Sequence, residues 1–499
     1  MSEFTLATCT EIRKIIMNSP VSSCDLDPIP TCLIKEFVND FVPYITQIVN
    51  KSLKCGFFPH CLQHALIKPL LKKPSLNRQD LKNYRPIANL KYLGKLIERV
   101  VSGRLQSHLK NTSLQNPFQS AYREMHSVES ALLRVNNDVL IGMDNGNVSG
   151  LVLLDLSSAF DTVDHCILLK RLKEIGLNGI VLKWFMSYLS SRSQEVCIRD
   201  ATSASVSLDF SVPQGSVLGP QLFNVYTLPI QHIVQKHSIN YHMYADDLQL
   251  YFICKPVQKE IDENVKKIEN CIVDVRNWMI ESRLKLNDAK TEFILLGNSR
   301  QLSKIKVSHV QVGSAPVSPV HQARNLGVIF DSAMSLETHI SNCVKLANCN
   351  LRNIRAIRQY LSPQSTQQLV HAFVTSHLDN CNSLLFRLPA NQINRLQKVQ
   401  NAAARLVTNT RISSHITPIL KSLHWLPVQQ RVIYKILLLT YRALNDLAPE
   451  YISSLLSPHS AGRSGLRSSH NIRLKEIRTK RNWGDRAFAS AAPSLWNKL

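Results

Sequence analysis

The segment HMYADDLQLY, residues 242–251, sets two adjacent carboxylates, Asp246 and Asp247, between two short apolar runs. Both runs have strand character and the Ala-Asp-Asp between them has turn character, so the segment reads as a hairpin with acids at its tip. Like charges a few ångströms apart repel, and each loses hydration on burial. Such a hairpin needs positive charge at its tip. A second run, LVLLDLSSAFD (151–161), is a continuous apolar strand that ends on Asp155. If the two strand units are neighbours in one sheet, Asp155 joins Asp246 and Asp247 at its edge. Three carboxylates together are costly alone and favourable around Mg²⁺, which takes hard oxygen ligands from one or two carboxylates plus substrate phosphates. Two such ions about 4 Å apart clamp the attacking and leaving oxygens of a phosphoryl transfer.

The rest of the chain narrows the setting. Its 499 residues are enough for two to four packed domains. The richest apolar run, VIYKILLLTYRAL (432–444), contains Lys435 and Arg442 and therefore reads as a buried helix, not a membrane span. The start, MSEFTLATCTEIRKI, lacks the basic-then-apolar order of a signal peptide. The expectation is a soluble intracellular chain, nuclear or cytoplasmic, with no readable targeting signal. Twelve cysteines without a single CxxC predict free thiols and no zinc. The formal net charge is +23, and the stretch from Asp331 onward has 22 Lys and Arg against 7 Asp and Glu. A basic region of this kind suits a polyanion, nucleic acid first; no apolar amphipathic anchor accompanies it to suggest a membrane.

Local patterns divide the chain into four parts. Residues 1–55 read as a helical N-terminal extension. In it Thr10 caps EIRKIIMN, and a second helical stretch is broken near Pro43 and stopped by Gly56. Over 56–330 short apolar strands alternate with helical patterns such as SVESALLRVNNDVL, an α+β texture. Residues 331–456 are helical and basic, and 457–499 form a Ser-, Arg- and Gly-rich tail that reads as loose. No internal repeat is present.

Taken in order, FQSAYREMHSVESAL, LVLLDLSSAFDTVDH, VPQGSVLGPQLFNVY, YADDLQLY, LKLNDAKTEFILLG and NLGVIFD resemble the successive motifs of a reverse transcriptase of the non-LTR (LINE-type) retrotransposons. The upstream ALIKPLLKKPSLNRQDLKNYRPIANL resembles that group's fingers motif, and the likeness runs from LDPIP to APSLWNKL. It implies a right-hand polymerase, with fingers, an antiparallel palm sheet and an all-helical thumb, that copies an RNA template by extending a DNA primer with dNTPs. The implied cofactor is a pair of Mg²⁺ ions, with Mn²⁺ as the alternative.

Roles carry over by position. Asp155, Asp246 and Asp247 match the catalytic, metal-holding carboxylates, and Leu156 matches a position whose backbone carbonyl assists. Phe160 matches the bulky residue that blocks a ribose 2′-hydroxyl. Gln214 and Gly215 match the loop under the incoming nucleotide, and Arg85 the fingers arginine that grips the triphosphate. Lys290 matches the lysine that protonates the leaving pyrophosphate. Leu326 and Gly327 match the hairpin that steadies the primer end. Arg352, Arg355 and Arg358, with Leu351, Ile354 and Ile357 beside them, look like a thumb helix presenting cations to the template–primer backbone. Ser211 departs from the family pattern, which has glycine there.

Two alternatives stand beside this reading: a catalytically silent, retrotransposon-derived RNA-binding fragment, and an RNA-dependent RNA polymerase, against which Phe160 and YADD argue. Residues 1–55 are too few for an endonuclease, so extension without DNA nicking is expected. Leu499 reads as a truncation point and Met1 as a possible internal start. The oligomeric state is not legible.

Overall fold

The computed structural model describes residues 1–21, 24–157, 160–459 and 473–499. They fall into two compact units. One comprises Met1–Asn116, Leu156–Ile233 and Asp274–Leu286; the other comprises Pro117–Asp155, Val234–Val273 and Asn287–Leu499. Both mix sheet and helix, as the α+β reading expects.

The first unit is built on the antiparallel pair His64–Leu71 and Tyr84–Leu90, extended by Arg192–Ile198, which runs parallel to the first of these. Its N-terminal helices are integral to it. Ile12 and Ile16 of the helix Cys9–Asn18 are fully buried, and Glu11 takes a two-pronged ion pair from Arg104 at 2.9 and 2.7 Å. The cap of this helix is Thr8, not Thr10: the Thr8 hydroxyl accepts the Glu11 N–H, so the helix begins before Thr10. The expected break near Pro43 is also displaced. The chain interrupts its helix at Phe37, and Pro43 lies inside Val38–Cys55, which Gly56 ends with φ +62°. Pro43 stands in the second turn of that helix, where its missing N–H leaves the Asn39 carbonyl without its helical partner, and the helix continues past it.

Ser211 adopts φ +89°, a backbone region that favours glycine. Its N–H bonds the Val163 carbonyl, and its own carbonyl bonds the His165 ring. The serine therefore keeps the conformation of the glycine pattern, at a cost of about 1 kcal/mol or more.

The second unit centres on a sheet in the order Pro319–Val320, Glu292–Leu296, Val148–Leu154, Asp247–Cys254, Asn240–Tyr244. The last four strands pair antiparallel; only the short Pro319–Val320 edge is parallel. Val148–Leu154 is central and covered on both faces, which is why its sequence is an unbroken apolar run. The helix Val128–Asp144, started by a Ser127–Ser130 capping box, packs on the sheet.

From Glu337 to Ser453 the described elements are helical. The 432–444 run lies in the helix Val428–Leu444, where Lys435 pairs with Glu129 at 3.2 Å. Among the described residues no helix is long and apolar enough to cross a membrane. One apolar core joins strand residues such as Leu151 and Ile294 to Leu396, Val432 and Phe488. The expectation of a loose tail is overturned for 473–499. Leu474, Ala487, Phe488, Ala491 and Ala492 are buried in that core. Ala and Phe in FASAAPSLW supply an apolar helix face that composition alone concealed. The tail's 460–472 portion lies outside the described residues. The twelve cysteines are all free thiols.

A polar knot lies inside the same unit. The Tyr451 hydroxyl bonds Ser120 Oγ at 2.7 Å and Ser130 Oγ at 2.8 Å, and Ser120 Oγ also reaches His242 Nε2 at 2.8 Å. Burial pushes the His242 imidazole down to about 3, so it is neutral at ordinary pH.

Relief of the backbone strain at Ser211 is measurable. Ser211→Gly is expected to raise the melting temperature by about 2 °C, corresponding to about 1 kcal/mol. An unchanged or lower value would mean that the serine is unstrained.

Candidate active site

Sheet register brings the acids together. Val148–Leu154 and Asp247–Cys254 pair antiparallel with Leu154 opposite Leu248, so Asp155 and Asp247 come to the same end of the sheet. In the hairpin, Tyr244 is opposite Asp247, which leaves Ala245 and Asp246 as a two-residue loop. Ala245 has φ +57°. That conformation costs an L-residue about 1–2 kcal/mol, and neighbouring hydrogen bonds hold it. Gln119 Oε1 accepts the Ala245 N–H at 3.0 Å, and Gln119 Nε2 donates to the Ala245 carbonyl at 3.3 Å.

Asp155 is fixed by Asn287. The Asn287 N–H donates to the Asp155 carbonyl at 2.8 Å and its side-chain amide to Asp155 Oδ2 at 3.2 Å. Lys290 Nζ reaches the same Oδ2 at 2.8 Å. Lys290 is 65% exposed, so solvent screens this pair. Burial first, then the charges of Asp246 and Asp155, push the Asp247 carboxyl up to about 7, and Lys290 only partly offsets them. Tyr122 also lies within electrostatic reach of Asp246.

Hard oxygen donors with a surplus of negative charge suit a divalent cation. Among the described residues no three His, Cys, Asp or Glu side chains stand ready to hold a metal by themselves. The expected three-carboxylate cluster is thus not assembled in this structure; Mg²⁺ can take one or two carboxylates and complete its shell with water and phosphate oxygens. The residues fit the ion; they do not form a closed trap for it.

In the first unit, Arg85 is exposed on Tyr84–Leu90, opposite Leu70. Three residues on, the Ala88 N–H bonds the Gln214 carbonyl at 2.7 Å. Gly215 has φ +124°, and a Cβ there would lie 2.5 Å from the Ala88 carbonyl oxygen, so only glycine fits. The Gln214 amide donates to Asp161 at 2.9 Å. Phe160 stacks on Phe223 with ring centres 4.8 Å apart. Leu156 is buried and pairs with Leu286 in a short antiparallel ladder. Glu98, fully buried, accepts the N–H groups of Val217 and Leu218 at 2.6 and 3.1 Å and so fixes the end of the PQGSVL loop. Burial raises its carboxyl above the ordinary range, offset by Arg192 and those two N–H groups.

In the second unit, Leu326 and Gly327 form a two-residue turn between Gln322–Asn325 and Val328–Asp331, both with positive φ. The Asn325 amide beside this turn bonds the buried Gln249 at 2.8 Å. Arg352 and Arg355 are exposed on the helix Glu337–Ile357, above buried Leu351 and Ile354; Ile357 is exposed. Arg358 is placed differently. Its guanidinium donates to the Leu406, Leu361 and Val407 carbonyls, so it closes the end of the helix Ala390–Thr408.

The family model "Reverse transcriptase (RNA-dependent DNA polymerase)" matches residues 71–330, just over half of the chain. The chain belongs to the reverse transcriptase family. Among curated relatives it is 26% identical over 341 residues to the RNA-directed DNA polymerase from mobile element jockey of Drosophila funebris, covering 67% of this chain and 36% of that one. It is 26% identical over 417 residues to the probable RNA-directed DNA polymerase from transposon BS of Drosophila melanogaster, covering 80% and 44%. The chain spans less than half the length of these relatives. A telomerase structure from Candida albicans aligns at 12% identity and a TM-score of 0.37, covering 80% of this chain and 69% of that one, too loose a match to inform the architecture.

Sequence motifs single out the charged and glycine positions of the site and pass over Gln119, Asn287 and Glu98. Uncharged amides and a lone glutamate in a helix have no chemical signature until their partners are visible. Gln119 and Asn287 do lie inside the motif stretches FQSAY and LKLNDAK.

The raised Asp247 carboxyl gives this chain a pH signature. The group binds its proton more tightly folded, at about 7, than at the ordinary 3.8. Its contribution to stability is therefore full below pH 3.8 and is lost as pH rises through 7. Metal-free protein is expected to melt at falling temperatures across that window, and Asp247→Asn to flatten the fall. If the ionised acids hold Mg²⁺, the ion should raise the melting temperature more at pH 8 than at pH 5. Equal shifts at both pH values would contradict the assignment.

Proposed function

We propose that this chain is an RNA-directed DNA polymerase of a non-LTR retrotransposon, joining a primer 3′-hydroxyl to the α-phosphate of a dNTP on an RNA template. The observation that carries the reading is the meeting of Asp155, Asp246 and Asp247 at one sheet end, with Asp247 pushed up to about 7. In this reading the Val148–Leu154 sheet is the palm, the His64–Leu71 and Tyr84–Leu90 pair belongs to the fingers, and the helices after Glu337 are the thumb.

Asp155 and Asp246 would be the principal ligands of two Mg²⁺ ions, with Asp247 beside them and Mn²⁺ as a substitute ion. Bound there, the ions supply charge stabilisation to the attacking and leaving oxygens. The side chains do the rest. Asn287 orients Asp155, and Lys290 supplies a proton source next to that carboxylate. Arg85 offers a fork of donors to triphosphate oxygens. Phe160, backed by Phe223, bars a 2′-hydroxyl, while Gln214 and Gly215 line the nucleotide, with Leu156 beside Asp155. Leu326 and Gly327 steady the primer end. Arg352 and Arg355 contact the template–primer backbone; Arg358, engaged with helix carbonyls, we leave out of that set.

Primer extension on RNA with Mg²⁺ tests the assignment. Asp246→Ala should reduce the rate by more than about a hundredfold, beyond what removal of a supporting hydrogen bond costs. Wild-type-level extension by this variant would refute the reading, and Phe160→Val should admit ribonucleotides.

The thumb assignment has its own signature in salt titrations. Arg352→Ala with Arg355→Ala should lower the slope of log affinity against log salt by about 0.9 for each phosphate that is no longer neutralised. Arg358→Ala should leave the slope unchanged and destabilise the fold by about 1–3 kcal/mol. The reverse pattern would reassign the three arginines.

A further inference from the structure

We infer that Gln119 is a positioning residue for the metal-binding acids: its side chain holds the Ala245 peptide in the left-handed turn that aims Asp246. The inference rests on the polymerase reading above and adds a residue to it.

Gln119 is 3% exposed, and its amide meets backbone on every side. Oε1 accepts from the Ala245 N–H at 3.0 Å and from the Ala121 N–H at 3.0 Å. Nε2 donates to the Ala245 carbonyl at 3.3 Å. One side chain thus satisfies both polar groups of a residue that has no strand partner, since the register stops at Tyr244 and Asp247. Those polar groups are buried with Ala245, which is 5% exposed. A buried N–H or carbonyl without a partner costs about 1–3 kcal/mol, on top of the left-handed strain of an alanine.

The clamp is itself anchored. The Met243 N–H bonds the Phe118 carbonyl at 2.8 Å, and the Ser120 N–H bonds the Met243 carbonyl at 3.0 Å, so residues 118–120 lie along the outer edge of the Asn240–Tyr244 strand. The Gln119 carbonyl accepts from Arg123 at 3.0 Å, and Ser120 enters the Tyr451 knot. With its backbone pinned on both sides, the Gln119 amide has a fixed position from which to hold the turn. Without it the cheapest relaxation is for Ala245 to leave φ > 0. That rotation swings Asp246, the next residue, away from Asp155 and Asp247.

The test uses the full chain and two readouts. Gln119→Met keeps length and apolar volume and deletes the three hydrogen bonds. It is expected to weaken Mn²⁺ binding, followed by electron paramagnetic resonance, by about tenfold, the size typical of supports behind a metal ligand. It should lower kcat for primer extension by a similar factor while leaving KM for dNTP within about twofold. Adding Ala245→Gly makes the left-handed turn cheap without the clamp, so the double variant should recover part of both losses. Unchanged Mn²⁺ affinity and kcat in Gln119→Met would overturn the inference. So would a loss confined to KM or to melting temperature, or one that Ala245→Gly fails to relieve. If Gln119→Met does not fold, Gln119→Leu, which removes donor and acceptor without adding charge, is read the same way. Mn²⁺ binding is measured whether or not the wild type extends a primer, so failure of the polymerase reading is told apart from failure of this one.

Discussion

Repulsion among Asp155, Asp246 and Asp247 is the constraint around which the rest of the second unit is arranged. Burial and like charge both work against ionising Asp247, and Lys290 offsets them only in part. Acids kept in such a place need a backbone that cannot drift apart to relieve the strain. The unit supplies it by sheet pairing between the two strands that end on the acids, by Asn287 gripping Asp155 through main chain and side chain, and by Gln119 gripping the hairpin turn. Rigidity at the sheet end keeps the like charges close together, the arrangement on which the proposed cation binding rests.

The first unit applies the same device to a loop. Gly215 passes so close to the Ala88 carbonyl that a side chain is excluded, and Glu98 holds the following backbone from a buried position. Ser211 tolerates a glycine-like φ because its N–H and carbonyl are both engaged. Small displacements matter in these loops. Backbone is therefore fixed by buried polar side chains, and packing alone does not do it.

How much could be read from the letters followed from the kind of physics involved. The Val148–Leu154 strand, the Tyr244–Asp247 hairpin and the helix Val128–Asp144 were legible because periodicity and turn chemistry are local. Thr10 in place of Thr8, and a break at Pro43 where the chain bends at Phe37, were errors of two and six residues, set by packing that competes with local preference. The acids announced themselves by cost. Arg358 could not be told from Arg352 and Arg355, since all three recur at one helical spacing and only the carbonyls of a distant helix separate them. The last residues read as loose because their apolar helix follows a polar, basic stretch.

The Tyr451 hydroxyl has a consequence for anyone who cuts this polypeptide. Stopping at residue 330, where the family match ends, keeps Asp155, Asp246 and Asp247 and trims only Asp331 from the NLGVIFD motif. It also removes the phenol that closes the knot of Ser120, Ser130 and His242, together with the helical apolar surface that shares a core with Leu151 and Ile294. The strands bearing the acids would then present apolar and unpaired polar groups to water. The smallest excisable piece of this chain is therefore defined by its interior and extends well beyond its signature letters.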